Sequence, residues 1–299
     1  MKQASLLLFI LVALNAHFSW AQDYSRLKIY ANEFELSKLA NLGVAVDHGI
    51  HKEGVFFISD FSKAERQIMD SYDYTYDVLI EDVQAYYMEE LSKPAAKENS
   101  SVKNVSCPGS GSIGAGTTPT TPTHFNLGTM GGYLKYEEML AELDEMLATY
   151  PNLITAKAPI STFLTAQNRP LYHVRISDNP NIDESGEPKV LYTAIHHARE
   201  PMSLMETIFF MWYVLENYGT NPEITYIVNH MQLYFVPCIN PDGYVYNQTT
   251  NPNGGGMWRK NRRLNSGGSY GVDLNRNYSY GWGTTGTSFT QTNETYCGT

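Results

Sequence analysis

The chain has 299 residues, 42% of them hydrophobic, which suits one large domain or two smaller ones and excludes a disordered chain. Its 21 basic and 31 acidic residues give a formal net charge of −10. That balance lacks the basic face of a nucleic-acid-binding protein and reads as a solvated acidic surface, so no nucleic-acid partner is expected.

The first residues carry an address. Met1-Lys2 is a positive start, Leu6 to Leu14 is unbroken apolar sequence, and Ser19-Trp20-Ala21 has a small-x-small cleavage pattern. Residues 1–21 are therefore expected to be a removable export signal, giving a secreted or periplasmic protein. The apolar stretch is short for a spanning helix, and Asn15 and His17 interrupt the sequence just after it. Stable membrane insertion is not expected once the signal is removed.

Residues 22–92 read as a small α/β unit. Leu27–Tyr30, Val55–Ile58 and Val78–Ile80 have strand character. Phe34–Leu42, Phe61–Tyr72 and Asp82–Leu91 have helical spacing, and Asp60 to Glu65 offers polar residues suited to a helix start. Residues 93–122 are rich in Gly, Pro, Ser and Thr and cannot bury enough apolar surface to offset their ordering entropy. They read as an exposed, protease-accessible linker.

The second unit covers residues 123–299. Leu134–Tyr150 is an amphipathic helix ended by Pro151, and Pro201–Tyr218 is a helix with proline in its first turn. Pro170–Ile176, Lys189–Ile195 and Gln232–Ile239 read as strands, the last two as buried ones. Strands alternating with helices predict an α/β fold with a mixed, largely parallel sheet flanked by helices. Of the three cysteines, Cys107, Cys238 and Cys297, the second sits in an apolar run and reads as a buried core thiol.

The chemistry gathers where the Lys189–Ile195 strand stops on His196-His197-Ala198-Arg199-Glu200. The C-terminal end of a sheet strand is where open α/β sheets place ligands. His197 and Glu200, three residues apart, share one face of a helical turn and can supply two of the three protein ligands of a catalytic zinc. A helix-surface pair is the plainer reading of this spacing taken alone. His196, adjacent in sequence, faces elsewhere. Two further patches are Asn240-Pro-Asp-Gly-Tyr244, a strong turn signal, with Met257-Trp-Arg-Lys260, and Gly271-Val-Asp-Leu-Asn-Arg-Asn-Tyr278. Arginine suits carboxylates because its planar fork binds both oxygens.

In this order, His-Ala-Arg-Glu, Asn-Pro-Asp-Gly-Tyr, Met-Trp-Arg-Lys and Val-Asp-Leu-Asn-Arg-Asn resemble the zinc metallocarboxypeptidases of the carboxypeptidase A/B type, over roughly residues 124–299. The resemblance implies a zinc-dependent hydrolase acting on peptide or protein C-termini. By position it implies that His197 and Glu200 bind Zn2+ and that Arg259 stabilises the oxyanion. It implies that Asn275 and Arg276 hold the substrate's terminal carboxylate and that Arg199 belongs to the substrate cleft. It also implies an N-terminal pro-segment, which residues 22–92 and the linker would suit.

The family's third zinc ligand, a histidine, and its general-base glutamate lie downstream of the Asn-Arg pair. Here no histidine follows His230, and Glu294 is the one acidic residue after Asp273. The chain therefore reads as truncated within the catalytic domain and inactive as it stands. A non-catalytic binder of C-terminal carboxylates remains open, as does a zinc amidohydrolase acting on cell-wall peptides or N-acyl amino acids.

Overall fold

The computed structural model describes residues 23–92 and 120–299. The expected export signal and Cys107 lie outside the described residues, as does all of the expected linker except residues 120–122.

In residues 23–92, β1 (Tyr24–Ile29), β2 (Ile50–Lys52), β3 (Phe56–Ser62) and β4 (Tyr76–Ile80) form an antiparallel sheet in the order β2-β3-β1-β4. Helices α1 (Glu33–Asn41), α2 (Lys63–Ser71) and α3 (Val83–Ser92) complete the unit. Leu27, Ile29, Leu36, Leu39, Phe57, Phe61 and Met69 are its core. The sequence placed the start of α2 at Phe61. Phe61 is instead a fully buried strand residue paired with Ser25, and the helix begins after Ser62. There a capping box forms, Ser62 and Glu65 each accepting from the other's backbone N–H. Strand β2 escaped sequence reading because all three of its residues are exposed and carry no apolar alternation.

In residues 120–299 the elements are α4 (Tyr136–Thr149), β5 (Ala158–Pro159), β6 (Tyr172–Ile176), β7 (Lys189–Thr193), α5 (Met202–Asn217), α6 (Pro222–His230), β8 (Gln232–Val236) and α7 (Pro241–Thr250). The sheet order is β5-β6-β8-β7. The fold class is the expected mixed α/β arrangement with flanking helices. Its parallel share is smaller than strand–helix alternation indicates: β7 pairs parallel with β8, while β5–β6 and β6–β8 are antiparallel.

Strand β8 is buried on both faces, as its apolar run predicts. Strand β7 is not. It lies at the edge of the described sheet, with Val190 and Tyr192 packed on the core and Leu191 65% exposed. An apolar run does not distinguish a covered strand from one with an open face. Asn240-Pro-Asp-Gly also resolves differently from the expected turn. Asn240 caps α7, its side chain accepting from the Gly243 N–H, with Pro241 in the first turn. Trp212 anchors the core between α4 and α5, its indole N–H donating 2.6 Å to buried Glu142. Cys238 is a buried free thiol, and burial pushes its pKa far up. No helix among the described residues is long and apolar enough to cross a membrane.

Candidate metal centre

The His197–Glu200 segment is built by the end of β7. After Thr193 the chain reaches Ile195, a buried β-branched residue at φ 52°, a conformation that costs energy unless its surroundings impose it. They do so here. The Ile195 N–H donates to Ser203 Oγ, whose hydroxyl donates to the Glu200 carbonyl. The Ala198 N–H donates to the Arg259 carbonyl, and Asn240 Nδ2 reaches the His196 carbonyl. The Glu200 N–H closes on the His197 carbonyl, forming the single turn that the three-residue spacing predicts.

That turn brings His197 Nδ1 to 3.0 Å from Glu200 Oε1. The other ring nitrogen, Nε2, lies 3.1 Å from Asp273 Oδ1, with His197 and Asp273 both essentially inaccessible to solvent. A carboxylate at Nε2 holds the proton there, so in the neutral ring the Nδ1 lone pair faces a second carboxylate. Two acceptors at 3.0 Å are satisfied by a shared proton or a cation. A nitrogen and an oxygen donor, with the imidazole oriented by a carboxylate behind it, is a donor set that fits zinc. His196 points away from this pair, to the Tyr278 hydroxyl at 2.7 Å.

The electrostatics follow from the pairing. Burial pulls His197 toward neutrality, but its bonds to Asp273 and Glu200 outweigh this and raise its pKa above the ordinary histidine value. Burial opposes ionisation of Glu200, yet His197 and nearby His48 hold its pKa below the usual glutamate range. Asp273 sits far below the aspartate range because the Arg259 charge and the His197 bond override its burial. Arg259 is itself buried. Its Nε and Nη2 donate to Asp273 Oδ2 at 3.1 and 2.9 Å, so Asp273 bridges the histidine and the guanidinium.

The N-terminal unit closes over this constellation. Asp47 Oδ2 accepts from Arg259 Nη2 at 3.2 Å and from Arg276 Nη2 at 2.6 Å. Those charges depress its pKa well below the aspartate range despite burial. His48 lies alongside, 3.9 Å from Glu200 Oε1, its ring edge-on to that of His197. Arg276 is steadied by Nε donation to the Gly286 carbonyl.

Of the residues singled out in sequence, the structure brings His197, Glu200, Arg259 and Arg276 around one space. Asn275 lies next to them on the 3-10 turn Leu274–Arg276, its N–H donating to Asp273 and its residue exposed. Arg199, expected in the substrate cleft, lies beside the His197–Glu200 pair. It borders a cavity of about 380 Å³ together with Glu200 and His48, but its guanidinium lies over the Tyr24 ring at 5.0 Å and 3.7 Å from buried Glu294.

Three residues of the centre were not identified from sequence. Asp273 stood inside the Val-Asp-Leu-Asn-Arg-Asn motif, and its signal was the amide and basic residues just after it. Asp47 and His48 carried no signal, since nothing near them in sequence shares their task.

Residues 139–299, more than half of the chain, match the family model described as zinc carboxypeptidase. The chain belongs to the zinc carboxypeptidase family. It is 36% identical over 155 residues to the zinc carboxypeptidase of Saccharothrix mutabilis subsp. capreolus, covering 52% of this chain and 34% of that protein. It is 34% identical over 167 residues to carboxypeptidase A2 of Rattus norvegicus, covering 56% of this chain and 37% of that one. The chain thus spans about a third of the length of these curated relatives. Among solved structures, the carboxypeptidase A of Helicoverpa armigera superposes with a TM-score of 0.66 at 23% identity, over 93% of this chain and 63% of that one, a likeness of fold. Zinc is the family's metal, so the carboxypeptidase unit and its donor pair agree on the ion.

Proposed function

We propose that this protein is an exported zinc metallocarboxypeptidase that removes C-terminal residues from peptides, and that residues 22–92 are a pro-segment lying over its site. Secretion or periplasmic export is part of the proposal and rests on the pattern of residues 1–21. The carrying observation is the Asp47 carboxylate held between Arg259 and Arg276 beside the His197–Glu200 pair. A carboxylate already occupies the guanidinium fork that a peptide's free C-terminus would need.

A bound zinc ion supplies a Lewis acid that polarises a carbonyl and acidifies water. His197 and Glu200 would hold it, and Asp273 fixes the His197 ring. Arg276, with Asn275 beside it, binds the terminal carboxylate and sets the register of the chain. Arg259, already aimed by Asp273, stabilises charge that develops on the scissile carbonyl oxygen. Asp47 must leave before either arginine can serve substrate, so the N-terminal unit keeps the enzyme latent.

The test is hydrolysis of blocked dipeptides by the protein as its gene encodes it, after cleavage between residues 92 and 120, with and without a chelator. Chelator-sensitive turnover of free-acid but not C-terminally amidated substrates is expected. Equal rates on both would remove the carboxylate-clamp reading. A binder without turnover is the second reading, favoured by one observation: the fork of Arg259 and Arg276 already holds a carboxylate, that of Asp47, through contacts that do not involve the metal pair. Peptide binding that requires the free carboxylate, with no hydrolysis at stoichiometric zinc, would decide for it.

A further inference from the structure

We infer that Arg262 is a positioning residue for the reaction: caged by three aromatic rings, it fixes the hairpin that aims Arg259. The inference rests on reading Arg259 as the group that stabilises charge on the scissile carbonyl oxygen, and adds what keeps that guanidinium in place. The Arg262 guanidinium carbon lies 3.9 Å from the centroid of the Tyr246 ring, 4.4 Å from that of Trp258 and 4.5 Å from that of Tyr270. A cation this close to a ring face is attracted by the ring's quadrupole. Each ring comes from a different segment: Tyr246 from α7, Trp258 from the approach to Arg259, and Tyr270 from the limb leading to Asp273. One side chain therefore ties three pieces of backbone together.

Residues 261–272 form the hairpin. The Asn261 N–H donates to the Val272 carbonyl at 3.0 Å, and Asn261 Oδ1 accepts from the Val272 N–H at 2.8 Å. The Gly271 N–H donates to the Arg263 carbonyl, and Leu264 pairs with Tyr270. Gly271 has φ 94°, and a Cβ there would stand 2.6 Å from Lys260 Cβ, so glycine lets the two limbs approach this closely. At the open end, Arg259 Nε and Nη2 reach Asp273 Oδ2. Asp273 is separately held, its N–H donating to the Tyr296 carbonyl at 2.8 Å. A tilt of the hairpin therefore swings Arg259 relative to Asp273.

Polar contacts to α7 hold the limb that enters Arg259. The Trp258 N–H donates to Asn247 Oδ1, and Asn247 Nδ2 donates to the carbonyls of Trp258 and Ala198. The cage carries this hold across to Tyr270, on the other limb. Its charge is what makes it a cage. Arg262 Nε is buried with no hydrogen-bond partner among the described residues, and burial pulls the guanidinium below the ordinary arginine pKa. Asp242, the acid that acts on it electrostatically, is committed to Arg169 at 2.8 Å. An apolar side chain of the same length would fill the space without the attraction to the rings.

Aim matters at a group that acts on charge developed only in the transition state. Misplacing such a group by about 1 Å can cost on the order of 100-fold in rate while substrate binding is nearly untouched. Arg276, steadied on its own through the Gly286 carbonyl, still holds the terminal carboxylate. Loosening the cage is therefore expected in kcat rather than in KM.

The experiment has two arms. In the 299-residue chain, NMR follows the Arg259 Nε–H signal and its exchange with solvent. In the protein as its gene encodes it, cleaved between residues 92 and 120, hydrolysis of a blocked free-acid dipeptide gives kcat and KM. Arg262→Met is expected to lower kcat about 10- to 100-fold with KM changed less than about 3-fold, and to speed the Arg259 exchange by about 10-fold. Arg262→Lys keeps the cation and should recover part of both losses. Arg263→Met, at the exposed neighbour, should change neither. In a parent that turns over, kcat or Arg259 exchange unchanged in Arg262→Met would overturn this inference alone. Equal losses in the Lys and Met variants, or a kcat loss that only matches the unfolded fraction in urea titration, would do the same. No hydrolysis by the parent would overturn both this inference and the reading beneath it.

Discussion

Two buried ionic clusters meet at the Arg199–Glu200 step, and they end differently. In one, Asp273 bridges His197 and Arg259, and the remaining valences of His197 and Glu200 turn toward each other and toward space. In the other, Arg199 lies between the Tyr24 ring and Glu294, with Glu65 close enough to act electrostatically on both acid and base. Both have buried charges at their centre, and both join residues 23–92 to residues 120–299. The first has donors to offer a ligand, whereas the second spends its charges on holding the two units together. Burial and perturbed pKa therefore do not by themselves mark a site. A set of donors converging on space does.

The comparison can be broken most severely at Arg259. Arg259→Ala leaves Asp273 as a buried charge without its guanidinium, which should cost about 3–5 kcal/mol in urea unfolding. A loss under 1 kcal/mol would mean that Asp273 finds water or a proton, and that the first cluster is looser than its geometry. Asp273→Asn tests orientation. The His197 ring loses its carboxylate anchor, and zinc affinity measured by competition should fall about 10- to 100-fold. The second cluster should not share this sensitivity. Tyr24→Leu removes the ring under Arg199 and should lower stability by about 2 kcal/mol or less, with zinc affinity unchanged. A parallel loss of affinity would merge the two clusters into one functional unit.

The smallest effect is one of sign. Burial raises the Glu65 pKa, aided by repulsion from Glu294, even though the Ala45 and Ser62 N–H groups oppose the shift. An acid whose folded pKa is raised favours the folded state when protonated. The stability of the parent chain relative to Glu65→Gln should therefore be greatest at low pH. It should fall as pH rises above the ordinary glutamate pKa of about 4.3, levelling off above the raised folded value. Urea unfolding from pH 3 to pH 8 reads this directly. A difference that grows with pH would show Glu65 stabilised as the anion and reverse its place in the comparison.

Much of the local architecture was legible in sequence. Apolar spacing located α4 and α5, with Leu134, Met139, Leu143 and Met146 buried as expected. The polar run Asp60 to Glu65 marked a helix start, although strand pairing of Phe61 moved it past Ser62. The end of β7 and the three-residue spacing of His197 and Glu200 placed the donor pair, because the turn that joins them is closed by a hydrogen bond between those same two residues. What misled was one-dimensional evidence for three-dimensional cover. Lys189–Thr193 is apolar enough to be covered on both faces, and only its place in the sheet shows that it is not.

The sequence alone determined the ordered motifs, the family they resemble, and each contact made within a few residues, since backbone geometry there leaves little choice. The tertiary structure decided the rest of the centre. His197 meets Asp273 across 76 positions, and Asp47 meets Arg259 and Arg276 across 212 and 229. It also decided that Arg199 serves the seam with Tyr24. Residue type and spacing fix what a side chain can do, but which distant charge it meets depends on how two separately built sheets come to lie against each other.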